Sequence, residues 1–372
     1  MDLSHYAFDA LHSDGDFVLS RGHERTSATS HRRSILVKTT RSEQPRPETV
    51  RIMEHEFSLR AELDSTWAIR PLELTQYKGR TILVLEDSGG EPLDRLLGTP
   101  MELGNFLRVA IGASAALRQL HIRGLVHKDI KPANIMIEPA TGRAWLMGCG
   151  IASRLPRERQ SPEPPEFIAG TLAYMAPEQT GRMNRSIDSR SDLYALGGTL
   201  YEALTGSLPF SASDPMEWVH CHIARQPVSP AERSSNVPVP VAAIIMKLLT
   251  KTAEDRYQTA VGVECDLRRC LAEWETQRRI DEFPLGEHDT PEPALDSREI
   301  VWASAVINNA SACLRWLAAR NLEEARKSAS LVIADGHRAG EIIGRIRALA
   351  KKAPPQKDWL DPNETIDEVI AC

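Results

Sequence analysis

The segment His127-Lys128-Asp129-Ile130-Lys131-Pro132-Ala133-Asn134 decides the fold of this 372-residue chain. It brings a carboxylate, an amine and an amide close together, directly before the apolar run Ile135–Ile137, which is typical of a strand. Phosphoryl transfer needs a carboxylate to orient the attacking hydroxyl, positive charge near the transferred phosphate and a metal ligand. The segment therefore predicts phosphoryl-transfer chemistry, with Asp129 and Lys131 as catalytic residues and Asn134 as the metal ligand.

Later motifs occur in an order that makes the chain resemble a protein kinase. An A-P-E motif ends at Glu178, an S-D-x-x-x-x-G motif contains Asp192, and a D-R-Y motif contains Arg256. The resemblance implies that Asp192 anchors the catalytic segment, which begins at His127, from below. It also implies that Arg256 pairs with Glu178. These four residues are therefore expected to have structural roles.

Two positions point to the Ser/Thr type of kinase. Lys131 follows Asp129 where tyrosine kinases carry Ala-Ala-Arg. Gly170-Thr171, just before the A-P-E motif, matches the substrate-facing loop of Ser/Thr kinases. The resemblance therefore implies a protein substrate or docking partner in a signalling pathway, with Thr171 in the substrate loop.

The first hundred residues resemble the nucleotide-binding half of a kinase. Val37-Lys38 ends a strand as the lysine of the third kinase strand does, and Glu56 lies where its glutamate partner would be on a helix. Leu85-Glu86-Asp87 looks like the hinge that holds adenine through its backbone. The resemblance implies ATP and Mg²⁺ as cofactors. The ATP-binding residues that it implies are Lys38, Glu56, Glu86, Asp87 and Asn134.

The implied fold class is α+β, a two-lobed protein-kinase-like fold with a small β-rich N-lobe and a larger helical C-lobe, followed by an α-helical hairpin. The apolar periodicity predicts helices at Glu48–Leu63, Leu103–Arg123 and Leu193–Leu204, and Gly206 ends the last of these. The kinase-like domain is expected to span residues 1–280, with the N-lobe at about 1–87 and the C-lobe at about 88–280.

The remainder of the chain predicts a linker, a hairpin and a tail. Residues 281–298 are rich in Pro, Asp and Glu, which is typical of a linker. Residues 299–351 predict two helices, and the second carries small and apolar residues spaced alternately four and three apart, as in a coiled coil. A homodimer through 299–351 is therefore possible. Residues 352–372 form the tail.

A finer resemblance is to the front Ser/Thr-kinase domain of large bacterial multi-sensor hybrid kinases. It is carried by residues 174–185, 214–222 and 251–258. The segments 312–317 and 335–347 resemble a histidine-kinase dimerisation hairpin. Asp296-Ser297-Arg298-Glu299 stands where the phosphoacceptor histidine is expected, and no ATPase domain is recognisable after the hairpin. Histidine-kinase activity is therefore not expected.

Composition narrows the class of protein. The net charge of −6 disfavours nucleic acid as the main partner. Six cysteines without a C-x-x-C pair suit reduced thiols rather than a disulfide framework or a zinc site. We find no signal peptide, and the apolar run around Val241–Leu249 is too short to span a bilayer. A cytoplasmic protein without a membrane partner is expected.

Two departures from the kinase pattern affect the expected activity. Gly148-Cys149-Gly150 stands where a metal-binding Asp-Phe-Gly is expected, so Gly148 replaces the second metal ligand. The glycine-rich loop is reduced to Ser13-Asp14-Gly15-Asp16-Phe17, whose two carboxylates would repel phosphate. Losing a metal contact removes several kcal/mol of transition-state stabilisation, a rate loss on the order of 10³.

Two functions therefore remain open. One is a Ser/Thr protein kinase that transfers phosphate from ATP to protein hydroxyls, impaired by Gly148. The other is a pseudokinase that binds nucleotide or partner proteins and dimerises through its C-terminal hairpin. The complete set Asp129, Lys131 and Asn134 favours the first. Gly148 and the altered loop favour the second.

Overall fold

The structure, a computed structural model, describes residues 3–25, 34–77, 79–154, 171–182 and 185–290. It confirms the predicted fold class, because a β-rich N-lobe precedes a larger helical C-lobe. The predicted hairpin 299–351, the tail 352–372, residues 291–298 of the predicted linker and Gly170 lie outside the described residues. None of the described helices is long and apolar enough to cross a membrane.

Five antiparallel strands build the N-lobe sheet in the order β1-β2-β3-β5-β4. β3 lies at its centre, and its apolar run Ile35–Val37 is buried on both faces, as expected for a central strand. The strands are β1 Tyr6–Asp14, β2 Phe17–Glu24, β3 Ser34–Thr40, β4 Pro71–Tyr77 and β5 Arg80–Glu86.

One helix, α1 at Pro47–Ser58, packs on this sheet. Pro47 begins it, since proline fits the first helical turn. Its buried face carries Met53 and Glu56. The predicted helix Glu48–Leu63 is therefore shorter in the structure, where the chain passes through a 3-10 turn after Ser58. This helix delivers Glu56 to the interior of the lobe.

The C-lobe consists of helices around short strands. Helix α2 is apolar along most of its length and packs against α7 and β9. The elements are β6 Glu91–Pro92, α2 Leu103–Ile122, β7 Leu125–Val126, β8 Ile135–Glu138, β9 Arg143–Leu146, β10 Ser153–Arg154, α3 Ser189–Thr205, α4 Pro215–Ile223, α5 Pro230–Arg233, α6 Val239–Leu248 and α7 Ala260–Gln277. Strands β6, β8 and β9 form one small sheet, and β7 pairs with β10.

Helix α3 is the most buried helix of the C-lobe and begins earlier than predicted. Asp188 caps its first turn by accepting a hydrogen bond from Arg190 N–H, so the helix includes the polar residues before Leu193. It ends where predicted, because Gly206 adopts the left-handed conformation with φ 74°. The early start places Asp192 within the first turn, below the catalytic segment.

The first part of the predicted linker packs against the C-lobe. Phe283 and Leu285 contact its apolar core. Asp289 accepts hydrogen bonds from the backbone N–H groups of Gln258 and Thr259, at 2.7 and 2.8 Å, just before α7. Residues 281–290 are therefore part of the C-lobe surface.

Candidate active site

A cavity of about 420 Å³ lies between the β1–β2 turn and the segment that the sequence singled out. Catalytic-segment residues form one wall, and residues of β3 and the loop after β9 form others. The predicted site residues that line it are Lys38, Asp129, Lys131, Asn134 and Thr171, together with Gly148. The fold therefore assembles at one place residues that are up to 133 positions apart (171 − 38).

Asp129 is held by contacts to both of its carboxylate oxygens. Thr171 donates its backbone N–H and its hydroxyl to Oδ1, each at 3.0 Å. Asn134 donates from Nδ2 to Oδ2 at 2.9 Å and to the Asp129 carbonyl at 2.8 Å. The carboxylate is thus positioned to accept a hydrogen bond from a hydroxyl, which Thr171 provides here.

The Lys131 amine lies at the centre of the polar contacts. It donates to Thr171 Oγ1 at 2.8 Å and lies 3.4 Å from Asp129 Oδ2. It also forms an ion pair with Asp14, at the end of β1. Burial lowers the pKa of Lys131, but the charges of Asp129 and Asp14 outweigh this effect, and the pKa is raised overall. The amine therefore remains charged.

Lys38 and Glu56 form a buried ion pair that connects β3 to α1. Lys38 Nζ lies 2.7 Å from Glu56 Oε2, and Glu56 is 1% exposed. The other carboxylate oxygen of Glu56 accepts a hydrogen bond from the Gly148 N–H at 3.1 Å. Glu56 thus connects the lysine to the loop after β9, so helix α1 and that loop are held together.

The loop at Gly148 has the backbone conformation of a tight turn. Its φ of 77° lies in the left-handed region, which favours glycine. A Cβ at this position would lie 2.5 Å from Asn134 Oδ1, so a side chain would need the Asn134 amide to move. Gly148 therefore both permits the turn and leaves the space that Asn134 occupies.

The side chains around Gly148 fit Mg²⁺ poorly. Mg²⁺ at phosphate sites is held by one or two carboxylates together with phosphate oxygens. Asn134 offers an amide oxygen toward Gly148, and Asp129 is the carboxylate beside it. Among the residues that the structure describes, no group of three or more His, Cys, Asp or Glu side chains could hold a metal ion. We therefore assign no reaction step to a metal.

Asp192 holds the catalytic segment in a strained conformation. Its carboxylate, 1% exposed, accepts hydrogen bonds from the backbone N–H groups of His127 and Lys128, both at 2.8 Å. Lys128 has a φ of 69°, which costs a non-glycine residue about 1–3 kcal/mol. His127 is buried, and its Nε2 donates to the Met147 carbonyl at 2.9 Å. These contacts impose the turn that presents Asp129.

Glu178 and Arg256 form a buried bidentate ion pair. Arg256 NH1 and NH2 donate to the two carboxylate oxygens of Glu178 at 2.7 and 2.9 Å. The two side chains are 0% and 3% exposed. Ser191, beside Asp192, donates to the same carboxylate at 2.7 Å. The pair therefore connects the loop after Thr171 to the start of α3 and to the segment before α7.

The segment that follows Thr171 is also fixed, from α4, by a residue that the sequence analysis did not single out. His222 Nε2 donates to the Leu172 carbonyl at 2.7 Å, and its Nδ1 lies 3.0 Å from the Tyr194 hydroxyl. Burial lowers the pKa of His222 to about 4, so the ring is neutral near pH 7. Because 50 residues separate His222 from Leu172, the sequence gives no signal for this contact.

The predicted hinge residues lie apart from the cavity. Neither Glu86 nor Asp87 lines its described walls. Glu86 accepts a hydrogen bond from Ser65 Oγ at 2.5 Å. Asp87 accepts one from Arg21 Nε at 2.9 Å. The structure therefore brings together the predicted phosphate-side residues, while Glu86 and Asp87 make contacts elsewhere.

The β1–β2 hairpin contributes a histidine that the sequence analysis missed. His12 Nδ1 lies 2.5 Å from Asp94 Oδ2 in the C-lobe, and His12 Nε2 lies 3.9 Å from Asp14 Oδ2. The Asp14 and Asp94 carboxylates raise the pKa of His12 to about 9. His12 is therefore a cation near pH 7, placed between two anions.

The raised pKa predicts a pH dependence of stability. An unfolded histidine titrates near 6.5, so the His12 contribution should be complete below pH 6.5 and should disappear as pH rises through about 9. We expect the free energy of unfolding of the wild type to fall over this window relative to His12→Gln. Urea denaturation of both proteins at pH 6, 7.5 and 9.5 measures the difference. Identical pH profiles would contradict the assignment.

Comparison with known proteins places this geometry in context. The model of the protein kinase domain family matches residues 24–265. Serine/threonine-protein kinase PknB of Mycobacterium tuberculosis is 36% identical over 189 residues, which is 50% of this chain and 30% of that protein. Serine/threonine-protein kinase Pkn1 of Myxococcus xanthus is 36% identical over 197 residues, 52% of this chain and 28% of that protein. The chain thus spans less than a third of these curated relatives.

Proposed function

This chain belongs to the protein kinase family, and from that premise we propose that it is a Ser/Thr protein-kinase-like signalling protein. Its activity would be phosphoryl transfer from ATP to hydroxyl groups of a protein substrate, impaired by the loss of a metal-binding aspartate at Gly148. The observation that carries the proposal is the assembled set around Asp129, in which Lys131, Asn134 and Thr171 all contact its carboxylate.

Each residue of the chain has a definite task in this proposal. Asp129 orients the acceptor hydroxyl, as its contact with the Thr171 hydroxyl illustrates. Lys131 places positive charge beside the transferred phosphate, and Lys38, kept in place by Glu56, holds the phosphates further inside. ATP, when bound, would supply the phosphoryl group. The backbone near Glu86 is the proposed adenine contact by resemblance alone.

Replacing Asp129 by asparagine tests the proposal. The amide keeps the shape of the side chain but lacks the negative charge that attracts the acceptor proton, and a positioned base contributes about 10²–10⁴ in rate. We expect phosphate transfer to casein, or to the chain itself, to fall at least about 100-fold in the variant. The measurement is incorporation of label from γ-labelled ATP with the full-length chain and Mg²⁺.

A suitable control for this experiment is Asp188→Asn, which changes a carboxylate at the N-terminus of α3, away from the cavity. It should leave transfer within about twofold of the wild type. Thermal unfolding of each variant checks that the fold is intact. Equal transfer by the wild type and Asp129→Asn would refute catalysis by this site.

That same outcome would favour the second candidate function, a pseudokinase that binds nucleotide or partner proteins. The observation in its favour is Gly148, where the kinase pattern expects a carboxylate and where Asn134 fills the space that a side chain would need. In this alternative the chain acts by docking and by dimerising through the hairpin expected at 299–351. That hairpin, with the front kinase-like domain, would make the chain a shortened relative of bacterial hybrid kinases.

A further inference from the structure

The β1–β2 hairpin is tied to the C-lobe by charged side chains across the cleft. Asp14 pairs with the Lys131 amine, and His12 pairs with Asp94 at 2.5 Å. His12 is also close enough to Asp14 to join the two contacts into one charged network. The hairpin therefore closes over the catalytic segment at two points.

A third contact closes the cleft near the predicted hinge. Arg21, on β2, donates to Asp87 Oδ2 at 2.9 Å and to Glu91 Oε1 at 2.7 Å. It also donates to the Gly90 carbonyl. The Arg21 side chain is 11% exposed and that of Asp87 is 1% exposed, so the contact is largely shielded from water. A group entering from this side would have to displace it.

Buried apolar side chains lie on the two strands that carry Lys38 and Glu86. Some of them belong to one cluster, in which each residue is at most 5% exposed. The cavity lined by Lys38 does not reach the described residues 79–92. The members of the cluster include Leu19, Leu36, Leu85, Met136 and Met147, of which Leu19 and Met147 also line the cavity at Lys38. A separate cavity of about 190 Å³, lined by Glu86, Asp87 and Ser88 among others, lies beside the hinge and shares no lining residue with the cavity at Lys38. In this conformation the hinge and the phosphate-side residues therefore border different cavities.

The cations that line the cavity are already paired with carboxylates of the chain. Lys38 pairs with Glu56, and Lys131 with Asp14. Arg46 pairs with Asp16 at 2.7 Å, on the same turn as Asp14. A phosphate must therefore compete with these carboxylates. Because Asp14 is tethered beside Lys131, it competes at a high effective concentration. The family match begins at Glu24, the last residue of β2, so the rest of this hairpin lies outside it.

We propose that the β1–β2 hairpin is an autoinhibitory strap in which Asp14 occupies the Lys131 amine in place of a nucleotide phosphate. The inference rests on the proposed function, since it concerns regulation of the same site. In the closed conformation the strap excludes nucleotide, and binding requires the Asp14–Lys131 contact to break. Loss of the Asp14 charge should therefore open the site.

The test compares two single substitutions on the same hairpin in the full-length chain. Asp14→Asn removes the charge that pairs with Lys131. Asp9→Asn removes the same charge from β1 at a position that is 78% exposed and does not line the cavity. Isothermal titration with ATP and Mg²⁺ measures affinity. We expect Asp14→Asn to bind ATP at least about tenfold more tightly than the wild type, which corresponds to about 1.4 kcal/mol, and Asp9→Asn to stay within about threefold.

The outcomes separate this inference from the proposed function. If only Asp14→Asn binds ATP more tightly than the wild type, the strap is supported. If that variant binds ATP but transfers no phosphate, the proposed catalysis fails while the strap is still supported. Equal gains in both variants would mean a general charge effect and would overturn the strap. Unchanged affinity in Asp14→Asn, whether the wild type binds ATP well or not at all, would also overturn it.

Discussion

Replacing Gly148 by aspartate is expected to raise the rate of Mg²⁺-dependent phosphate transfer by about 10³-fold. The new carboxylate would stand next to the Asn134 amide and provide the second metal ligand, and such a contact contributes several kcal/mol to transition-state stabilisation. At about 1.4 kcal/mol per factor of ten, this corresponds to roughly three orders of magnitude. Transfer from γ-labelled ATP to casein by the full-length variant measures the gain.

The structure also defines the obstacle to this substitution. The φ of 77° at position 148 is one that aspartate tolerates better than most residues. The added Cβ would nevertheless lie 2.5 Å from Asn134 Oδ1, so the Asn134 amide must shift. Gly148→Ala is the matched control, since it introduces the same Cβ without a carboxylate. If Gly148→Asp were no more active than Gly148→Ala, the missing carboxylate would not be the cause of impairment.

Replacing Arg256 by methionine is expected to cost about 3–5 kcal/mol of unfolding free energy. The substitution leaves the Glu178 carboxylate buried, with the Ser191 hydroxyl as a remaining donor. Removing one partner of a buried ion pair is expensive because the other charge loses its compensation. Urea denaturation followed by tryptophan fluorescence gives the change in free energy.

Arg268→Met is the control, because Arg268 is 59% exposed and pairs with Glu264 one helical turn away. Such surface pairs contribute about 0.3–0.5 kcal/mol. Adding Glu178→Gln to Arg256→Met removes the buried charge that has lost its partner. The double variant should therefore lose less unfolding free energy than the two single variants lose together. If Arg256→Met and Arg268→Met had the same free energy of unfolding, the argument from burial would be contradicted.

Much of the site could be predicted from short segments of the chain. The spacing from Asp129 to Asn134 is local, so a single tight turn before β8 is enough to place both residues on one wall of the cavity. The later pairing of Glu178 with Arg256, implied by resemblance to kinases, occurs in the structure. The apolar periodicity likewise predicted α2 to within two residues of its ends.

The long-range contacts could not be predicted in this way. Asp14 was expected to repel phosphate because it is an anion, but nothing in the sequence indicated its partner, since Lys131 is 117 residues away. Glu86 and Asp87 were assigned to the hinge by resemblance to kinases, which gives no information about the partners of their side chains. Their side-chain partners, Ser65 and Arg21, come from other elements of the N-lobe.

The sequence by itself determined the family of this protein and predicted residues that the fold gathers around one cavity, because those motifs are short and their spacing is set by local backbone geometry. Only the tertiary structure decided that the β1–β2 hairpin is tied to the C-lobe across the cleft. That tie depends on Asp14 meeting Lys131 and on His12 meeting Asp94. Such contacts arise when separate elements pack together, and no local pattern encodes which pairs will meet.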